Sequence, residues 1–183
     1  MKTRERFEAR QPIVVVDNSS VYFHCNEEEI VTENELGETK QEYEYDVLRA
    51  DVPCPDESNI LSAIKNLKIV QIKDYDASDK VNIFFLNGVR LWLDKATRVG
   101  LNLRFAAEKA SGREYTTLWH DTLSFSFPID TAIEMLNHLE GYASASYDVT
   151  HAHIAAVSEL TSIEDILSYD NTLNYPNILD FNY

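Results

Sequence analysis

The sequence predicts an α+β protein. A small N-terminal β meander precedes a ββαββα unit, whose four-stranded antiparallel sheet carries its helices on one face. Three observations predict this. First, the stretch Val81–Leu160 holds one pattern twice, strand–turn–strand–helix. Second, Asn87-Gly88 separates the apolar runs Val81–Leu86 and Val89–Leu93, and Asn-Gly suits a type I′ hairpin turn because both residues tolerate positive φ. Third, apolar residues alternate with Ser124 and Ser126 between Leu123 and Phe127, the period of a half-buried strand.

Taken in order, Pro12–Asp17 reads as a strand, Asn18-Ser19-Ser20 as a turn and Val21–Cys25 as a second strand. An acidic run, Glu27-Glu28-Glu29, leads to Ile30–Thr32; Glu35-Leu36-Gly37-Glu38 suggests a hairpin turn into Thr39–Arg49. The basic segment Lys2–Arg10 reads as a solvated end. Pro53-Cys54-Pro55 closes the meander. Asp56 or Ser58 can cap a short helix over Glu57–Leu67, with Ile60, Leu61, Ile64 and Leu67 on one side. Lys68–Lys73 reads as a further strand and Lys73–Lys80 as a polar loop.

Within the repeat, Asp94 and Asp130 stand where helix N-caps belong, since a carboxylate accepts from an orphan backbone N–H and suits the positive helix end. The first helix spans Lys95–Ala110 and stops before Gly112, a suitable C′ residue. The second strand pair is Tyr115–Trp119 and Leu123–Phe127, about the turn His120-Asp121-Thr122. In the long helix that follows, Ile133, Leu136, Leu139, Ala143, Tyr147, Thr150, Ile154 and Val157 form one stripe. Gly141 in its interior suggests a bend or a close packing contact. Thr161-Ser162-Ile163-Glu164 has the form of a capping box for a last short helix. The organisation is therefore 1–52 meander, 53–80 short helix and linker, 81–170 ββαββα domain and 171–183 an apolar tail. That tail, with Tyr175, Pro176, Ile178, Leu179, Phe181 and Tyr183, either packs back on the sheet or docks on a neighbour.

Composition narrows the function classes. Thirty-one acidic residues against sixteen basic give a formal net charge of −15, which disfavours nucleic acid and anionic surfaces. The chain holds no apolar run of membrane-spanning length and no signal-peptide pattern at its start. Cys25 and Cys54 leave one disulfide open without defining a disulfide scaffold, and the preferred reading is two free thiols in a reducing cytoplasm.

The residues specify an architecture and no chemistry. Asp74-Tyr75-Asp76-Ala77-Ser78-Asp79 alternates oxygens like the start of a calcium loop, but its sixth and twelfth positions are Asp79 and Phe85 where Gly and Glu belong. His151 and His153 on a helix point about 200° apart. His120-Asp121 fits a turn, and His24 and Cys25 face opposite ways on a strand. No nucleophile elbow, phosphate-binding Gly loop or His-Glu-x-x-His is present. We therefore expect no catalytic residue, metal ligand or cofactor. The large rings Trp92, Trp119, Tyr142, Tyr147, Tyr169 and Tyr175 are core residues or, where exposed, interface anchors.

Six segments together resemble a domain of unknown function common in bacteriophage proteins. They are Tyr75-Asp76-x-Ser78-x-x-Val81-Asn82, Trp92-Leu93-Asp94-x-x-x-Arg98, Leu118-Trp119, Leu139-Glu140-x-Tyr142-Ala143, Tyr147-Asp148-x-Thr150-x-x-His153 and Thr161-x-Ile163-Glu164. The resemblance covers Ile72–Pro176. Gly37-Glu38 and Tyr43-x-Tyr45-Asp46 look like the leader that small phage proteins carry. Proteins with this domain are encoded beside tail and tail-fibre genes, and the resemblance carries no catalytic residue. It implies a non-enzymatic virion protein, assembled in the host cytoplasm: a tail or tail-fibre accessory that binds other virion proteins and forms a homo-oligomer. Arg90 and Trp92, on the outward sheet face, and Tyr175, Leu179, Phe181 and Tyr183 of the tail are the expected contacts. The alternatives are a tail-fibre assembly chaperone absent from the finished particle, and a small enzyme or metal-binding protein using His151 and His153.

Overall fold

The computed structural model describes residues 2–33 and 37–183, so the expected turn at Glu35–Glu38 lies partly outside the described residues. The protein is mixed α+β and divides into two compact units. One comprises residues up to Ile72 together with His153–Asn171, the other Lys73–Ala152 together with Thr172–Tyr183. This division differs from the expected one: the end of the long helix and the short helix after it belong with the N-terminal sheet.

The first unit is built on a four-stranded antiparallel sheet. Its strands are β1 (Lys2–Phe7), β2 (Val14–Asp17), β3 (Ser20–Glu33) and β4 (Thr39–Asp51), in the order β1-β4-β3-β2. The segment expected to be a solvated end is thus an edge strand. Lys2, Arg4 and Arg6 stand opposite Leu48, Asp46 and Glu44 of β4, and three cations spaced by two on one face complement the acidic strand beside them. Because β1 and β2 occupy opposite edges, residues 8–13 must cross the sheet. They pass over Tyr45 and His24: the Gln11 amide donates to the Tyr45 hydroxyl at 3.1 Å, and the His24 amide donates to the Ile13 carbonyl at 2.9 Å. Phe7, His24 and Tyr45 pack edge-to-face beneath this strap.

On the other face, Val21, Phe23, Leu48 and Val52 meet Ile64 and Ile72 of α1 (Glu57–Asp76). Val157 of α3 (Ile129–Glu159) and Ile166 of α4 (Ile163–Ser168) complete this core. The strand expected over Lys68–Lys73 is instead part of α1. Its Ile69, Val70 and Ile72 favour strands locally. However, Ile64, Lys68 and Ile72 recur at four-residue steps and are the buried residues of the helix, so tertiary burial of one stripe overrides local preference. The cap of α4 is Ser162, whose hydroxyl accepts from the Asp165 amide at 3.3 Å, one residue later than the capping-box reading places it.

The second unit follows the expected order of elements from the first hairpin to the long helix, and adds a strand in the segment expected to be an apolar tail. Its elements are β5 (Phe84–Leu86), β6 (Val89–Leu91), α2 (Lys95–Ala110), β7 (Tyr115–His120), β8 (Leu123–Pro128), the first part of α3 and the added strand β9 (Leu179–Phe181). Asp94 caps α2 through the Thr97 amide at 2.7 Å, and Gly112 follows with φ +84. At the hairpin turn Asn87 and Gly88 have φ 49 and 76, the left-handed conformation that Asn and Gly tolerate.

Two expectations for this unit are overturned. The two hairpins do not share a four-stranded sheet: β5 and β6 form a sheet with β9, in the order β6-β5-β9, while among the described residues β7 and β8 pair only with each other. The free edge of β5 is taken by the tail strand, parallel, with Phe84 opposite Leu179 and Leu86 opposite Phe181. Asp130 is not a cap but lies in the first turn of α3, paired with Lys109 at 2.5 Å. The core gathers Phe84, Leu86, Phe105, Phe127, Met135, Leu139 and Phe181, among others. A Cβ at Gly141 would meet no atom within 4 Å, so no close packing contact accounts for that glycine.

Candidate binding surfaces

The six residues singled out from the sequence fall in very different places. Arg90 is exposed and pairs with Asp79 at 2.8 Å. Trp92 is half-buried, because the alternation that aims it outward ends with β6 at Leu91. Its ring lies edge-to-face with Tyr142, and the buried Arg98 guanidinium sits 5.6 Å from its centroid. Arg98 in turn binds Glu140 at 2.9 Å and the Leu93 carbonyl at 2.7 Å.

The tail packs back on its own chain. Phe181 is buried in the core and Leu179 is partly buried beside it. Tyr175 donates its hydroxyl to Thr150 Oγ1 at 2.8 Å, since Thr150 donates its own proton to Asp76 Oδ1 at 2.9 Å. Tyr183 remains half exposed over Phe181 and Phe127, with its amide donating to Asn87 Oδ1 at 2.9 Å. Of the six, then, Arg90 and Tyr183 present surface to solvent.

The residues weighed for chemistry are separated. His153 is buried, its Nδ1 2.7 Å from the Tyr169 hydroxyl, whereas His151 is exposed, its ring tilted against that of Tyr147. His120 and Asp121 lie 3.9 Å apart at a hairpin tip. His24 Nδ1 faces the Pro12 carbonyl at 2.8 Å, and the Cys25 thiol faces the Asp46 carbonyl at 3.5 Å. Burial pushes the Cys25 thiol pKa up, with the Asp46 charge adding to it; Cys54 is exposed, and both thiols are free. Asp76 and Asp79 of the calcium-like stretch are engaged by Thr150 and Arg90. Among the described residues no group of three or more His, Cys, Asp or Glu could hold a metal ion, and no helix is long and apolar enough to cross a membrane.

A surface that the sequence reading touched only through Trp119, as a ring that anchors an interface where exposed, lies on the β7–β8 hairpin. Leu118, Phe125 and Phe127 point into the core. The opposite face carries Tyr115, Thr117 and Trp119 against Pro128, Ser126 and Ser124. Tyr115 is 59% and Trp119 64% exposed. Neither strand places a charged side chain on this face, in a chain whose net charge is −15. The signal was present in the sequence: counted outward from the His120–Leu123 turn, Trp119 falls opposite Ser124, on the serine face. Comparison of the chain with protein-family models, with curated proteins and with solved structures gives no match.

Proposed function

We propose that this chain is a non-enzymatic bacteriophage virion protein, a tail or tail-fibre accessory that acts by binding other virion proteins. The observation that carries the binding part is the uncharged Tyr115–Trp119 face. Interface cores are enriched in Tyr and Trp and depleted of charge, and rings of this size supply most of the energy at such contacts. Arg90 and Tyr183 are further contact residues on the surface of the same unit. The virion part rests on the sequence resemblance over Ile72–Pro176. Such proteins assemble as symmetric oligomers, and a homo-oligomer belongs to the proposal.

The test is quantitative mass spectrometry of purified particles from the source virus. Presence at a fixed multiple of a known tail protein supports the proposal. Absence from particles, with abundance in the infected-cell lysate, overturns the virion part and leaves an assembly chaperone. Particles carrying Trp119→Ala are expected to incorporate less of the protein; unchanged incorporation removes the role given to this face.

A further inference from the structure

We infer that the cavity around Lys68, between the β1–β4–β3 part of the first sheet and α1, binds a small monovalent anion of halide size. The inference does not depend on which proteins the chain binds.

The sequence pattern builds the cavity from three elements. On α1, Ile64, Lys68 and Gln71 recur at steps of four and three, so they share one side of the helix. On β1, Lys2 stands opposite Leu48, a core residue of this unit, so its side chain lies on the helix-covered face of the sheet. On β3, successive residues should face opposite ways, yet Cys25 and Asn26 both line the cavity. The register of the β3–β4 pair shifts after Cys25, and Asn26 takes φ 52; a bulge of this kind re-aims a side chain.

Charge selects the ligand. Lys68 is 7% exposed, and its amine donates to the carbonyls of Tyr169 at 2.8 Å and Leu167 at 3.4 Å. An ammonium has three N–H donors, so one is left over. Among the described residues no carboxylate pairs with this amine, and none lines the cavity. Lys2, the other cation on the wall, is matched by Asp46 at 2.9 Å. The wall thus holds one cation in excess, in a chain whose net charge is −15. A buried charge without a counter-charge is costly. Burial accordingly lowers the Lys68 pKa, and Lys2 lowers it further against the more distant pull of Cys25 and Asp170. The Gln71 side chain makes no hydrogen bond to any described residue, so its amide N–H groups are also available.

Size narrows the class. The cavity measures about 60 Å³, room for a halide or for about two waters, and too little for a phosphate ester. A halide accepts hydrogen bonds without donating any, as the Lys68 and Gln71 donors require. Unlike water, it also cancels the excess charge. Bound there, it would join β1, β3 and α1 around one ion.

Two measurements on the full chain test this. Crystals grown in sodium bromide should show an anomalous peak in the cavity beside Lys68 Nζ. In thermal melts at constant ionic strength, replacing methanesulfonate by chloride should raise Tm saturably, by about 2–4 °C. Gln71→Leu removes an uncharged donor and should raise the half-saturating chloride concentration about tenfold. Lys68→Met should abolish the saturable rise, whatever it does to Tm itself. A Tm that follows ionic strength alone overturns the inference, as does a chloride response unchanged in both variants. So does a cavity without a bromide peak, which would make water the occupant.

Discussion

Glu28 and Glu44 stand directly opposite each other on β3 and β4, and the Arg4 guanidinium of β1 pairs with both, at 2.6 and 2.9 Å. Like charges opposed across a ladder destabilise it; here the cation of a third strand reverses the sign. Arg4 also reaches the Asn26 carbonyl at 3.2 Å, at the bulge where the register of the pair shifts. One side chain thus ties β1 to the irregular part of the β3–β4 hairpin.

Replacing Arg4 by Met is therefore expected to lower the melting temperature, and to do so more at low salt than at high, because exposed pairs are screened. The pH dependence follows from Glu44. The hydrogen bond from Arg4 holds its carboxyl below the ordinary value of 4.5, against some desolvation. A group whose pKa is depressed on folding adds stability above its unfolded pKa and loses it as pH falls through the folded one. The difference between wild type and Arg4→Met should be full near neutrality and close below pH 4.5. A thermal-melt series across that range reads it, and a gap that persists in acid would show that Arg4 acts through packing.

Phe181 should matter as a core residue. It is 9% exposed, faces Phe84 at 5.9 Å and lies in the strand that closes the β5 edge. Phe181→Ala is expected to destabilise the second unit by about 3 kcal/mol, the usual scale for emptying such a site. Deleting residues 178–183 should cost more, because it also exposes β5. Urea denaturation measures both; an unchanged midpoint would mean that β9 contributes no stability.

Lys68 ends α4. Although 93% hidden by the fold's own atoms, at 7% exposure, it donates to the carbonyls of Tyr169 at 2.8 Å and Leu167 at 3.4 Å. Lys68→Met leaves both acceptors without this donor, at about 1–3 kcal/mol, and should speed hydrogen exchange in α4 before the rest of the unit. Burial lowers the Lys68 pKa from 10.5. Stability conferred by this group therefore rises as pH climbs through the folded pKa toward 10.5, and the gap between wild type and Lys68→Met should widen in that direction.

The two cysteines should separate kinetically. Cys54 is exposed, while the Cys25 thiol is partly buried and held above its ordinary pKa. Since the thiolate is the reactive form, a disulfide reagent should modify Cys54 at least ~10-fold faster than Cys25 in the folded chain, and both at similar rates in denaturant. Equal rates in the folded chain would contradict the packing around Cys25.

What the sequence determined by itself was local. The bounds of α2 could be read because Asp94 caps it and Gly112 leaves it in a left-handed conformation, and both effects act within one turn of the chain. Both repeat hairpins were legible because their turns demand Asn, Asp or Gly at positive φ, as Asn87, Gly88 and Asp121 adopt. Tertiary structure alone decided the partners. Nothing within Lys2–Phe7 says that it pairs with β4, some forty residues on, and nothing within Leu179–Phe181 says that it fills the β5 edge and so keeps the two hairpins out of one sheet. It also decided between helix and strand over Lys68–Lys73, where β-branched residues pull one way and burial of Ile64, Lys68 and Ile72 pulls the other. The physical reason is the same throughout. Caps and turns are satisfied by neighbours in sequence, whereas strand edges and apolar faces are satisfied by whichever distant segment buries them best.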